Sequence, residues 1–409
     1  MQVIASVGSR SAAAPWALAL ALCLAALLGG CAPVEPQTFE KAAADATDHL
    51  VAQTGRLPAF LARLESQIAK PDPKLPKRTI TIDPMLDTIT GQQTETTALF
   101  ERRVVQRLGN LYPQFELLPF RAQNLSRAQY LLAGTMAKVP TAPTDKPAVR
   151  LNLALIDLKT GLVVAQASAL AREENLDSTP SRYYRDSPVL IKDKVVEGYA
   201  KTAATPVGQR GDTYYLERIG AASVINEATS LYNAEKYQDA LGTYRSALST
   251  PQGEQLRAQS GIYLASMKLG QLGEAEQAFS RIVALGMAYN ELGVKMLFNP
   301  GSVEFWSDPK ISGPYAMWLR QIAKESTNAK ACMNIVGHTS RTGSEQTNDS
   351  LSMARATYIK QRLTSEATVL DSRTRPSGMG FRENIVGSGT DNVVDALDRR
   401  VEFKIVPCT

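Results

Sequence analysis

Cys332-Met333-Asn334-Ile335-Val336-Gly337-His338-Thr339-Ser340, followed by Asn348-Asp349-Ser350-Leu351-Ser352-Met353-Ala354-Arg355-Ala356, is the part of the chain that says most about its fold. Arg355 comes seven residues after Asn348, which puts the two side chains on one face of a helix. A guanidinium held there can grip a carboxylate through two parallel hydrogen bonds. His338 and His49 are the only histidines. Two histidines leave the chain poorly supplied for zinc or for Ser-His chemistry, so His338 is read as a loop-packing residue rather than a base.

Further residues fall into order around this stretch: Gly343, Gly378 with Gly380, and Arg399-Arg400-Val401-Glu402. With Gly337-His338-Thr339, Leu351-Ser352 and Arg355-Ala356 they make residues 295–409 resemble the OmpA-like peptidoglycan-binding domain. The resemblance implies a mixed sheet with helices on one face. Val303 to Trp306 would be its first strand and Pro314 to Lys324 a helix. Cys332 to Gly337 would be the second strand, Asn348 to Leu363 a helix and Val401 to Val406 the last strand. Cys332 and Cys408 would then meet across the sheet. In that family a loop carboxylate and a helix arginine hold the free ends of diaminopimelate in the peptide stem. The resemblance assigns peptidoglycan binding here to Ser340, Asn348, Leu351, Arg355 and Arg400. Arg355 stands fifteen residues after position 340, the family's spacing, but position 340 is serine where aspartate is expected. A hydroxyl offers an ammonium no countercharge, a deficit of about 1–3 kcal/mol or roughly ten- to a hundredfold in affinity. Either Ser340 binds weakly, or Glu345 or Asp349 supplies the charge, or the ligand is another one. Val394-Asp395 and Asp398 also depart from the family pattern; Asp398, Arg399 and Arg400 are expected to form a structural ion cluster.

Towards the N-terminus, residues 215–290 read as helical and repetitive. Ala240 and Ala275, Tyr244 and Phe279, and Leu248 and Val283 are each 35 apart. Small alanines let paired helices approach and the aromatics fill the next turn, so the segment resembles two tetratricopeptide repeats. Such a pair cannot bury its face alone and is expected to pack on a neighbour, as a partner groove or as a rigid spacer.

Residues 78–205 mix strands and helices. Arg78 to Pro84 alternates, Thr90-Gly91 makes a turn, and Thr94 begins a helix with Leu99, Val104, Val105, Leu108 and Leu111. Phe115 to Phe120 and Tyr130 to Met136 read as strands, Pro140 to Pro147 as a loop, and Lys159-Thr160-Gly161 as the turn of a hairpin between Leu151–Leu158 and Leu162–Ser168. Together they predict a compact α+β domain. Ile82-Asp83-Pro84, Thr90-Gly91-Gln92-Gln93-Thr94, Leu131-Leu132-Ala133-Gly134 and Ile156 to Gly161 make it resemble the periplasmic lipoprotein modules grouped around LpoB, FlgO and CsgG. Before it, Phe39 to Ala69 reads as a helix ended by Pro71-Asp72-Pro73.

The first thirty residues hold an apolar run, Ala17 to Leu28, too short to span a bilayer and closed by Gly29-Gly30. This is the pattern of a secretory signal. Cys31 directly after the small pair resembles the lipobox of bacterial lipoproteins, which implies acylation at Cys31. Ala32 implies retention at the outer membrane, facing the periplasm. Residues 31–77 are then a lipidated tether and helix.

Composition fits this multidomain α+β picture. The 409 residues favour two to three domains. Without the signal and its Arg10, 44 basic residues face 40 acidic ones, an excess too small to argue for nucleic acid. Cys332 and Cys408 are the cysteines left beyond Cys31, an even pair that is a disulfide candidate in an oxidising compartment, with two unpaired buried thiols as the alternative. No phosphate-cradling glycine loop, paired-acid motif or cofactor signature is present. The expectation is a non-catalytic lipoprotein without cofactor or metal that tethers an envelope protein to the wall. The other reading is a regulatory or assembly lipoprotein for a cell-wall synthase, secretion or flagellar complex with little wall binding.

Overall fold

The computed structural model describes residues 35–54, 77–139, 148–172, 174, 176–385, 389 and 394–408. Cys31, the apolar leader, the end of the expected N-terminal helix and the Pro140–Pro147 loop lie outside these residues.

Residues Tyr130–Val139 (β4), Ala148–Asp157 (β5) and Val163–Arg172 (β6) form an antiparallel meander. Arg78–Ile82 (β1) adds parallel to β4, and Phe115–Leu118 (β3) adds parallel to β1. A two-residue strand, Leu86–Asp87 (β2), continues the β1 edge further along β4. Strand periodicity makes this sheet the middle of a sandwich. Leu151, Leu153 and Leu155 of β5 face one core, with Phe39–Thr54 (α1) and Glu95–Leu111 (α2). Ala154 and Ile156 face the other, with Lys194–Ala203 (α3). A one-residue slip would swap the two faces and press three leucines into the layer shaped for Ala154 and Ile156.

Local chemistry sets the ends of these elements. Thr94 and Thr97 form a reciprocal capping box that starts α2. Asp87 and Asp157 nucleate matching turns: each Oδ1 accepts the N–H groups two and three residues on and the threonine hydroxyl at the third. Both turns end on a left-handed glycine, Gly91 at φ 68° and Gly161 at φ 72°. Where β1 stops before β2 begins, Gly134 of β4, paired with Leu153 on its other side, lacks a strand partner on this edge. The Tyr199 hydroxyl fills the gap, accepting from Gly134 N at 2.9 Å and donating to its carbonyl at 2.8 Å.

Four helices follow: Ile219–Asn233 (α4), Tyr237–Ala247 (α5), Leu256–Lys268 (α6) and Leu272–Ala288 (α7). The repeat positions Ala240, Tyr244, Ala275, Phe279 and Val283 are all fully buried. The helices do pack on neighbours, and on two sides. Tyr183 donates to the Arg257 carbonyl of α6 from the N-terminal side. On the other, Trp318 stacks on Phe279 at 5.2 Å and donates to the Tyr263 hydroxyl. Residues Leu256 through Ser266 of α6 are buried all round.

The C-terminal sheet has the order β7-β10-β8-β9: Glu291–Leu297 (β7), Arg400–Val406 (β10), Cys332–Gly337 (β8) and Thr374–Gly378 (β9). Tyr315–Asn328 (α8) and Glu345–Glu366 (α9) pack against it. Strand β8 and the two helices lie where expected, each within a few residues of its predicted bounds. The first strand does not. It is Glu291–Leu297, whose Leu292, Val294 and Met296 are buried, whereas Val303 to Trp306 is the returning arm of a tight turn. The turn follows from Asn299-Pro300-Gly301, with Gly301 at φ 63°, closed by Asn299 N–H to Glu304 O and Trp306 N–H to Leu297 O. On its open edge β7 meets residues from the N-terminal half: Leu190 N–H donates to Gly293 O and Lys295 N–H to Pro188 O, both at 2.8 Å.

Candidate functional site

The C-terminal candidate site is built by β8, the loop after it and the start of α9. Gly337 ends β8 where the strand touches the helix; a Cβ there would lie 1.9 Å from the Ser352 carbonyl. That contact brings His338, Thr339 and Ser340 beneath α9. Ser344 caps the helix, and the Asn348 amide donates back to Thr342 O at 2.8 Å and Ser344 O at 3.0 Å. Ser352 accepts from Gly380 N–H at 3.0 Å, tying the segment after β9 to the same helix face.

Asn348 and Arg355 share that face, as their spacing required, and both are buried. Leu351 is half-buried beside them. Arg355 is 0% exposed. Its Nε donates to Ser302 O, Nη1 to His338 O and Nη2 to Asn299 O, at 2.9–3.0 Å. The guanidinium also lies 5.1 Å from the Phe298 ring centroid. Ser340 is buried too, at 4% exposure. Arg400 donates to Glu402 at 2.6 Å and to the Leu397 and Glu383 carbonyls. Arg399 donates to Phe298 O and lies over the Trp306 ring, and Asp398 accepts from Ile385 N–H. Of the carboxylates weighed as replacements for the missing aspartate, Glu345 and Asp349 both pair with Arg382, at 3.0 and 2.8 Å.

His338 is fully buried, and neither ring nitrogen has a hydrogen-bond partner among the described residues. Burial, with Arg400 and Lys404 adding to it, pushes its pKa down to about 2, so the ring packs as a neutral group. Cys332 and Cys408 are joined in a disulfide with a Cα separation of 5.2 Å. It ties the end of β10 to the start of β8, where Val406 already pairs with Cys332. Closing a loop of this size is worth about 4 kcal/mol on the chain-entropy model.

The cap over Arg355 was not foreseen from the sequence. Its carbonyls belong to the turn at Asn299-Pro300-Gly301-Ser302, and that Asn-Pro-Gly run is a turn signal that could have exposed it. Arg382, which holds both rival carboxylates, carries no motif at all. Among the described residues no group of His, Cys, Asp and Glu could hold a metal ion, and no helix is long and apolar enough to cross a membrane.

Residues 297–396 match the OmpA family. Among solved structures, the peptidoglycan-associated lipoprotein from Burkholderia pseudomallei is 20% identical, covers 29% of this chain and 92% of its own, and has a TM-score of 0.24. The C-terminal domain of Helicobacter pylori MotB is 19% identical over 28% of this chain and 84% of its own, with a TM-score of 0.23. The cell wall anchor of the T6SS from Pseudomonas aeruginosa is 23% identical over 27% and 77%, with a TM-score of 0.22. No curated protein matches the chain. The fold is thus mixed α/β, with a C-terminal mixed sheet of OmpA-like kind.

Proposed function

We propose that this chain is a non-catalytic outer-membrane lipoprotein, anchored by acylated Cys31, that binds peptidoglycan through its C-terminal region and tethers or scaffolds an envelope protein. The observation that carries the reading is the OmpA-family match over residues 297–396, with Asn348 and Arg355 on one helix face and Arg355 donating to the His338 carbonyl of the loop after β8. Arg355 would meet the stem carboxylate and Ser340 the ammonium, with Asn348 shaping the loop and Leu351 and Arg400 framing it. Binding on this reading is weak for two physical reasons. Ser340 brings no countercharge, and the Asn299 and Ser302 carbonyls must yield before a carboxylate reaches the guanidinium.

Co-sedimentation with washed sacculi tests the site. The wild-type chain is expected in the pellet, Ser340→Asp to raise retention roughly tenfold or more, and a folded Arg355→Ala variant to lose it. Full retention by Arg355→Ala would overturn the assignment. Acylation has its own check: radiolabelled palmitate should enter the wild-type protein and not Cys31→Ala.

One observation favours the second reading, a regulatory or assembly lipoprotein with little wall binding. The guanidinium expected to face the ligand is shut inside the fold. On that reading residues 78–205, of the LpoB, FlgO and CsgG type, would carry the partner surface, and the tetratricopeptide-like helices 215–290 would act as a spacer, since α6 is buried all round. In-cell crosslinking through residues 78–290 would recover the partner.

A further inference from the structure

A groove of about 320 Å³ lies between the hairpin turn Lys159-Thr160-Gly161 and the segment 210–220 that leads into α4. Its floor is apolar, built by Leu125, Leu158, Leu216 and Ile219. Backbone bonds fix the walls. Gly208 N–H donates to Val163 O, Val163 N–H to Gln209 O and Gly211 N–H to Gly161 O, so residues 208–211 form an added rung along the start of β6. In that rung Leu162 bridges to Arg210 and is 38% exposed, which carries the apolar surface out over the rim.

Two cations stand over this floor. Lys159 and Arg210 both line the groove, and neither side chain has a hydrogen bond or ion pair among the described residues. Packing holds Arg210 in place: a Cβ on Gly161 would lie 3.2 Å from its Nε and 3.0 Å from a Leu216 methyl. The acids nearby are engaged. Asp157 Oδ1 accepts the N–H groups of its own turn, Asp212 accepts from Tyr215 N–H, and Glu217 lies 3.9 Å from Arg218. Arg121 and Arg127, in the segments either side of Leu125, pair with Glu227 and Glu116.

A guanidinium takes a carboxylate through two parallel hydrogen bonds, and an apolar floor takes an apolar side chain as an anchor. The groove therefore complements a segment in which carboxylates flank apolar side chains. Two free cations are too few for a membrane surface, which is held by clusters of about four to eight. The chain also enters this sheet at the other end of β6, where Gln37 pairs with Leu170 and Arg172, about 30 Å away along the strand. A lipid at Cys31 would sit towards that end.

We propose that this groove docks an acidic segment of a partner protein, with an apolar side chain seated on Leu158 and Leu216 and carboxylates on Arg210 and Lys159. It is the anchor point of a wider contact, since a stable interface takes about 800 Å² from each partner. The proposal rests on the scaffold reading above and gives the chemistry of the partner; it does not depend on wall binding.

The test titrates the whole ¹⁵N-labelled chain and reads the backbone signals of Gly161, Leu216 and Gly220. The peptide acetyl-Glu-Glu-Leu-Leu-Glu-Glu-amide is expected to shift them saturably, and the same peptide with serine for leucine is not. The double variant Lys159→Glu/Arg210→Glu should weaken the acidic peptide at least tenfold and bind a peptide with lysine for glutamate, an exchange of preference that a folding defect cannot give. Arg355→Ala should leave the titration unchanged. Phosphatidylglycerol vesicles are the membrane arm. No saturable shift with the acidic peptide, equal binding of the serine peptide, no exchange of preference in the double variant, or a response to vesicles alone would each overturn the proposal. In cells, benzoylphenylalanine placed at Leu162 should trap a partner that the double variant loses. A partner trapped only from exposed Leu111 of α2 would keep the scaffold reading and overturn this groove, and trapping from neither position would fail both.

Discussion

The Arg355 pocket and the Gln92 cavity treat a buried polar group in opposite ways. Arg355 has no exposed surface and gives three of its donors to backbone carbonyls. Gln92, which lines a cavity of about 360 Å³ beside the start of α2, is nearly as deeply buried, but its side-chain amide makes no hydrogen bond to another described residue. A recognisable binding motif therefore sits where the fold has satisfied its own chemistry, while unsatisfied chemistry sits where no motif points. Matching residues to a family locates a scaffold; the state of their hydrogen bonds says whether that scaffold is open for a ligand.

The largest expected effect tests the closed side. Arg355→Met removes the donor from three buried carbonyls, and at about 1 kcal/mol or more apiece it should cost roughly 3 kcal/mol in urea unfolding. A loss below about 1 kcal/mol would mean that the guanidinium is not holding the turn, and the contrast would fail.

A second comparison sets the junction against the C-terminal sheet. Lys295 of β7 is buried, its ammonium donating to the Tyr184 and Arg185 carbonyls, and burial pulls its pKa down to about 7. The unfolded chain holds that proton up to about 10.5 and the folded one releases it near 7. Between these values the unfolded state binds more protons, so stability should rise with pH by about 1.4 kcal/mol per unit. The gain is absent below pH 7 and complete above about 10.5. The difference between wild type and Lys295→Met across pH 6–10 isolates it; a flat difference would refute it. His338 acts in another window. Its folded pKa near 2 lies below the ordinary 6.5, so its contribution is whole above 6.5 and lost progressively in acid.

The smallest effect sharpens the first contrast. Gln92→Leu should change unfolding stability by no more than about 0.5 kcal/mol, because no hydrogen bond to another described residue is lost. A cost similar to that of Arg355→Met would show that Gln92 is a structural group after all.

Much of this architecture was legible in residues with strong local signals. Lys159-Thr160-Gly161 did turn the hairpin, a helix did begin at Thr94, and the spacing of Asn348 and Arg355 did place them on one face. What escaped was long-range. Val303 to Trp306 has strand composition, but its backbone folds back on Phe298, while Glu291–Leu297 wins the pairing with β10. The burial of Arg355 depends on carbonyls more than fifty positions earlier, and the Gln92 cavity on segments as distant as residues 87 and 397. No local periodicity encodes such meetings.

The strand contact between Ser187–Leu190 and β7 has a mechanical consequence. Pulling the two termini apart would load those backbone bonds, and the Lys295 ammonium beside them, before stretching what lies between. Residues 191–292, including all four stacked helices, form a loop bypassed by the tension until that clasp gives way.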